Sequence, residues 1–114
     1  MNFNEYQSAI EKFDVFSEQS GDLNNPSFIA KILGLSGEAG EVAEKFKKIY
    51  RDKDGVLTDE DKVQIAKELG DVLWYAATIS RYLGIPFEDI ARQNIDKLTA
   101  RLENNKLHGS GDNR

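Results

Sequence analysis

Four stretches of this chain carry apolar residues at intervals of three and four, and none alternates with period two. That restricts the fold to packed helices. The first stretch runs Phe3, Tyr6, Ile10, Phe13, Phe16 and dies out near Gly21. The second opens at Asn25-Pro26, a capping residue followed by proline at the first helical position, and continues Phe28, Ile32, Leu35, Ala39, Val42, Phe46, Ile49. Turn formers crowd Arg51-Asp52-Lys53-Asp54-Gly55. The remaining ligand positions of a calcium loop are missing there, so Asp52 and Asp54 read as turn residues. Thr58 is placed to cap a third helix with Asp59, Glu60 and Asp61 in its first turn. Its stripe is Ile65, Leu69, Val72, Ala76, Ile79, Leu83, and Gly84 ends it. Pro86 opens a fourth, with Ile90, Ala91, Ile95, Leu98 and Leu102 on one face. The expectation is an all-α, four-helix domain over residues 1–107 and an irregular, polar, glycine-rich tail over 108–114.

A chain of 114 residues supports one core, and a small helical domain often completes its burial against a copy of itself. There is no cysteine, and His108 in the tail is the single histidine, so disulfides and thiolate metal sites are excluded. No apolar run approaches the roughly 20 residues that cross a bilayer. The opening Met1-Asn2-Phe3-Asn4-Glu5 lacks the basic and then apolar character of a signal peptide, so a cytoplasmic, membrane-free protein is expected. The net charge is −5, from 20 acidic against 15 basic residues. Such a surface repels a nucleic-acid backbone. It still admits a phosphate-bearing ligand whose charge a metal ion or a few placed cations neutralise.

Two acid pairs carry the chemical signal: Glu38 with Glu41, and Glu68 with Asp71, each at i, i+3. Residues three apart on a helix are neighbours, and like charges held there repel, so neither helix gains from its pair. Glu38 lies roughly 70° from the centre of the second helix's apolar stripe, and Glu68 roughly 60° from that of the third, in the same rotational sense. A short connection makes the two helices antiparallel, which brings both pairs to one edge. Heights match too. Glu41 lies nine residues before Tyr50 and Glu68 nine after Asp59, while Glu38 and Asp71 each lie twelve from the same references. Four carboxylates should therefore meet at one level. Solvated glutamates on helix surfaces are the ordinary alternative. Four anions at a core margin call for a cation, and all-oxygen ligands select Mg²⁺ or Mn²⁺. A helical di-iron centre would need Glu-x-x-His pairs, which are absent.

The segments Gly34-Leu35-Ser36-Gly37-Glu38-Ala39-Gly40-Glu41-Val42-Ala43-Glu44 and Lys67-Glu68-Leu69-Gly70-Asp71-Val72-Leu73-Trp74-Tyr75 resemble the MazG-like family of all-α nucleoside triphosphate pyrophosphohydrolases. The likeness extends through Asn94, Lys97 and Arg101 to the terminal Gly109-Ser110-Gly111-Asp112-Asn113-Arg114. Gly37 departs from it, since many members carry a further glutamate there. The resemblance implies cleavage between the α- and β-phosphates of (deoxy)nucleoside triphosphates, in nucleotide-pool housekeeping. It also implies a homodimer or homotetramer with sites near subunit contacts.

Phosphoryl chemistry of this kind is positioning and charge neutralisation. In that scheme Glu38, Glu41, Glu68 and Asp71 hold Mg²⁺. Glu41, with Glu38 beside it, is the candidate to take a proton from the attacking water. Asn94, Lys97 and Arg101 share one edge of the fourth helix and could meet phosphate or sugar, although that edge also reads as a solvated face. Trp74, off the apolar stripe, suits a subunit interface or a base. Tyr75, beside the acid pair, is either a core wall or a ligand contact. Lys45 and Lys48 are candidates for phosphate contact, although such lysines ordinarily face water. The competing reading is a non-catalytic helical module that senses nucleotides or binds a protein, which predicts binding without products.

Overall fold

A computed structural model describes residues 1–16 and 18–104. Among them it forms four α-helices, one turn of 3-10 helix and no strand. Helix α1 spans Phe3–Ile10, with the 3-10 turn at Glu11–Phe13; α2 spans Pro26–Asp52, α3 Asp59–Tyr82 and α4 Phe87–Glu103. The tail expected over 108–114, His108 included, lies outside the described residues.

Helix boundaries follow local chemistry. Asn25 accepts a hydrogen bond from the Ser27 N–H and leads into Pro26, which has no N–H to satisfy. Thr58 and Asp61 form a reciprocal capping box at the start of α3. The Lys53 ammonium and the Thr58 backbone and hydroxyl hold the Asp61 carboxyl down at about 2. Between these helices Asp54 and Gly55 adopt positive φ (51° and 74°), which reverses the chain and lays α3 antiparallel along α2. At the far end of α3, Gly84 at φ 70° ends the helix, and α4 begins after Pro86.

The α2–α3 hairpin is the spine of the molecule, and α1 and α4 pack on α3 and on each other. Gln7 of α1 fixes this corner. Its amide donates to the Ala77 and Ile85 carbonyls, and its carbonyl accepts from the Phe87 N–H. Ile10, Ala77 and Phe87 form the small core there, with Tyr6, Trp74 and Ala76 packed against it.

One expectation from the sequence needs correction. The first helix does not continue through Phe13 and Phe16. It ends at Ile10, tightens into the 3-10 turn, and becomes extended at Asp14 (φ −93°, ψ 107°), leaving Phe13 and Phe16 exposed. The reason is tertiary. The Asp14 carboxylate turns inward, meeting Lys31 Nζ at 3.3 Å and Arg81 at 3.2 Å and accepting a 2.6 Å bond from the Tyr82 hydroxyl. Trp74 reads from the sequence as a subunit-interface or base contact. It is half-buried against the Ile10, Ala77 and Phe87 cluster and stands edge-on to Tyr75 with ring centroids 4.9 Å apart.

The apolar stripes are only partly covered. Phe28, Ile49 and Ile65 are buried, whereas Ile32, Phe46, Leu69, Ile90, Ile95, Leu98 and Leu102 remain exposed. The radius of gyration, 16.9 Å, exceeds the roughly 13 Å of a compact chain this long. The single chain is thus an open arrangement of four helices rather than a closed bundle.

Candidate metal centre

The hairpin brings α2 and α3 together so that Glu38, Glu68 and Asp71 each offer a carboxylate oxygen within 4.8 Å of the other two. Glu38 and Glu68 are half-buried and Asp71 is exposed. Burial, together with the fields of Asp71, Glu68 and Glu41, pushes the Glu38 carboxyl above its ordinary range. Acids arranged this way resist ionising together, and a divalent cation among them would relieve the repulsion. Every donor is an oxygen, which matches a hard ion.

Glu41 does not join the three, so the expected four-way meeting is a three-way one. Glu41 is exposed, and its charge still reaches Glu38. On the other helix Glu68 is engaged by Lys45, whose Nζ lies 3.5 Å from its carboxylate.

One turn from Glu38 toward the start of α2, Gly34 lets the Tyr75 ring lie against the helix backbone. A methyl at Gly34 would overlap that ring. Tyr75 and its edge-on neighbour Trp74 thus form an aromatic layer beside the acids. Tyr6 approaches from α1; burial and the charge of Asp71 raise its hydroxyl above the ordinary tyrosine range. Its apolar spacing marked it as core and gave no sign of this proximity.

Beyond the aromatics lies a buried polar network that sequence reasoning missed. Lys31, 4 % exposed, pairs with Asp14 and sits 4.3 Å above the Phe16 ring, while the Ser27 hydroxyl is 2.7 Å from that of Tyr82. Burial opposes ionisation of Asp14. The Tyr82 hydroxyl, the Phe16 N–H and Lys31 more than offset it and hold the carboxyl below its ordinary range. No local pattern marks a lysine and an aspartate 17 positions apart as partners.

Of the candidates on α4, Asn94 and Lys97 line a cavity of about 360 Å³ with Ile90 and Gln93, all on that helix, and Arg101 is buried. The residues brought together around the acids come from α1, α2 and α3.

Comparison with known proteins adds two findings. Residues 27–105 match the domain described as MazG nucleotide pyrophosphohydrolase. Over 115 aligned residues the chain is 39% identical to the Gene 37 protein of Mycobacterium phage L5, covering 100% of both chains. No solved structure matches.

Proposed function

The chain belongs to the MazG nucleotide pyrophosphohydrolase family, and from that premise we propose that it hydrolyses nucleoside triphosphates, deoxynucleotides among them, to the monophosphate and pyrophosphate. The observation that carries the reading is the convergence of Glu38, Glu68 and Asp71 from two helices. These residues would hold Mg²⁺, with Mn²⁺ as an alternative. A divalent ion so bound supplies neutralisation of phosphate charge and a more acidic water.

The chain's own residues do the rest. Glu41 stands one turn from Glu38 and outside the converging three, which leaves its carboxylate available to accept the water's proton. Glu38 supports it by holding the adjoining position on the same helix. Tyr75 and Trp74 offer an apolar wall one turn from the acids for the nucleoside. Asn94, Lys97 and Arg101 line one edge of α4, which packs on α1 and α3, and we assign them phosphate or sugar contacts in a site shared between copies.

Such sharing is supported by the uncovered stripes of α2, α3 and α4. An apolar surface of this extent on one chain is characteristic of an interface. A homodimer is the smallest assembly that covers it, and sedimentation equilibrium should return at least twice the chain mass of 12.8 kDa. A monomer at micromolar concentration would contradict it. No described helix is long and apolar enough to cross a membrane, and we place the protein in the cytoplasm, acting on the nucleotide pool.

Chromatography of a ribo- and deoxynucleotide panel after incubation with Mg²⁺ tests the activity. The expected products are monophosphate and pyrophosphate, absent when the metal is chelated. Nucleotide binding without products would favour a sensing module instead.

A further inference from the structure

A second chemical feature of the α2–α3 groove lies closer to the hairpin. A cavity of about 220 Å³ opens there, lined by Lys45, Lys48, Ile49, Asp52, Lys53, Asp61 and Gln64. It holds roughly seven waters' share of liquid volume, room enough for a small anion. Its position follows from register. Glu41, Lys45, Lys48 and Asp52 succeed one another at steps of four, three and four along α2, so they share a face. Asp61, Gln64, Glu68 and Asp71 do the same on α3 at steps of three, four and three. One groove therefore has the converging carboxylates at one end and three lysines with Asp52 and Asp61 at the other, joined by the Lys45–Glu68 pair.

The charges within the cavity do not cancel. Asp61 is held by Lys53 at 2.7 Å, and Asp52 by two hydrogen bonds from Arg51 at 2.7 and 2.8 Å. Both acids are thus neutralised locally. Lys48 reaches Asp52 only through its field. Lys45 is half exposed to the groove, and its carboxylate partner Glu68 is itself one of the three converging acids. Lys45 lines the cavity already, and its ammonium would be released toward it were Glu68 to hold a divalent cation. In a chain of net charge −5, a pocket presenting two such cations beside the acids is built for an anion.

We propose that this cavity receives the terminal phosphates of the substrate and then the pyrophosphate leaving group, with Lys45 and Lys48 as its binding residues. The assignment rests on the pyrophosphohydrolase reading and gives the substrate a direction. The β- and γ-phosphates point toward the hairpin, and the nucleoside toward Tyr75 and Trp74.

Calorimetric titration of the full chain with inorganic pyrophosphate in Mg²⁺ tests this without turnover. Lys48→Met, which breaks no ion pair among the described residues, should weaken pyrophosphate binding about tenfold. Lys45→Met should do the same, with recovery in Lys45→Arg. Lys47→Met removes the same charge from α2 outside the cavity and should change nothing. Nucleoside monophosphate inhibition should be unmoved in the Lys48 variant, a split that a merely structural role would not give. Pyrophosphate that fails to bind the native protein, or binds both lysine variants as well as it binds the native protein, overturns the proposal. If nucleotides are hydrolysed while the lysine variants bind pyrophosphate normally, only this subsite fails. If pyrophosphate binding depends on both lysines and no nucleotide is cleaved, the anion site stands and the activity fails.

Discussion

Glu38→Gln and Asp71→Asn are each expected to abolish pyrophosphate release from nucleoside triphosphates while the helical fold survives. Both substitutions keep the side chain's shape and remove its charge. Charge stabilisation by a bound metal contributes several kcal/mol to the transition state. At about 1.4 kcal/mol per decade, losing it lowers turnover by roughly 10³-fold. The fold should not suffer, because Glu38 stands in the repulsive fields of Asp71, Glu68 and Glu41. Neutralising it removes repulsion, so the melting temperature of the metal-free protein should stay level or rise. Circular dichroism checks the fold and product chromatography the activity. Normal turnover in either variant would remove these residues from the site.

The largest effect on stability is expected at Asp14. Its side chain is fully buried between Lys31 and Arg81. Asp14→Ala leaves the Lys31 ammonium, 4 % exposed, without its carboxylate. Breaking a buried pair from one side costs about 3–5 kcal/mol. That is a large part of the roughly 5–15 kcal/mol that holds a domain together. Removing the ammonium as well, in Asp14→Ala with Lys31→Met, should recover part of the loss, since the penalty comes from the orphaned charge. The pH dependence has a definite sign. Asp14 titrates lower folded than its ordinary value of 3.8. Its stabilisation is therefore complete above that value and is lost as pH falls through the lower, folded one. Urea unfolding should show the native–variant gap in full at neutral pH and closing below about pH 4. A gap that persists unchanged in acid would contradict the account.

Asp14 also marks the boundary of what the sequence could tell. Asn25-Pro26, Thr58, Gly84 and Pro86 act on their own neighbours, so the limits of α2, α3 and α4 are legible from local chemistry. The end of α1 is not, because Phe13 and Phe16 continue its spacing while a pairing with distant Lys31 and Arg81 pulls the chain off the helix. The half-burial of Trp74 is not legible either, because it comes from packing against the Ile10, Ala77 and Phe87 cluster drawn from three helices. The acids were legible because two helices joined by a tight turn convert residue counts into heights. Counting could not decide the side-chain level, where Glu41 stays outside the converging three and Lys45 takes hold of Glu68.

The most direct measurement is diffraction from crystals soaked in Mn²⁺, recorded where manganese scatters anomalously. The expected result is an anomalous peak bounded by the carboxylates of Glu38, Glu68 and Asp71, with Glu68 drawn off Lys45. A map with no peak there, and Glu68 still paired to Lys45 at saturating metal, would contradict the account.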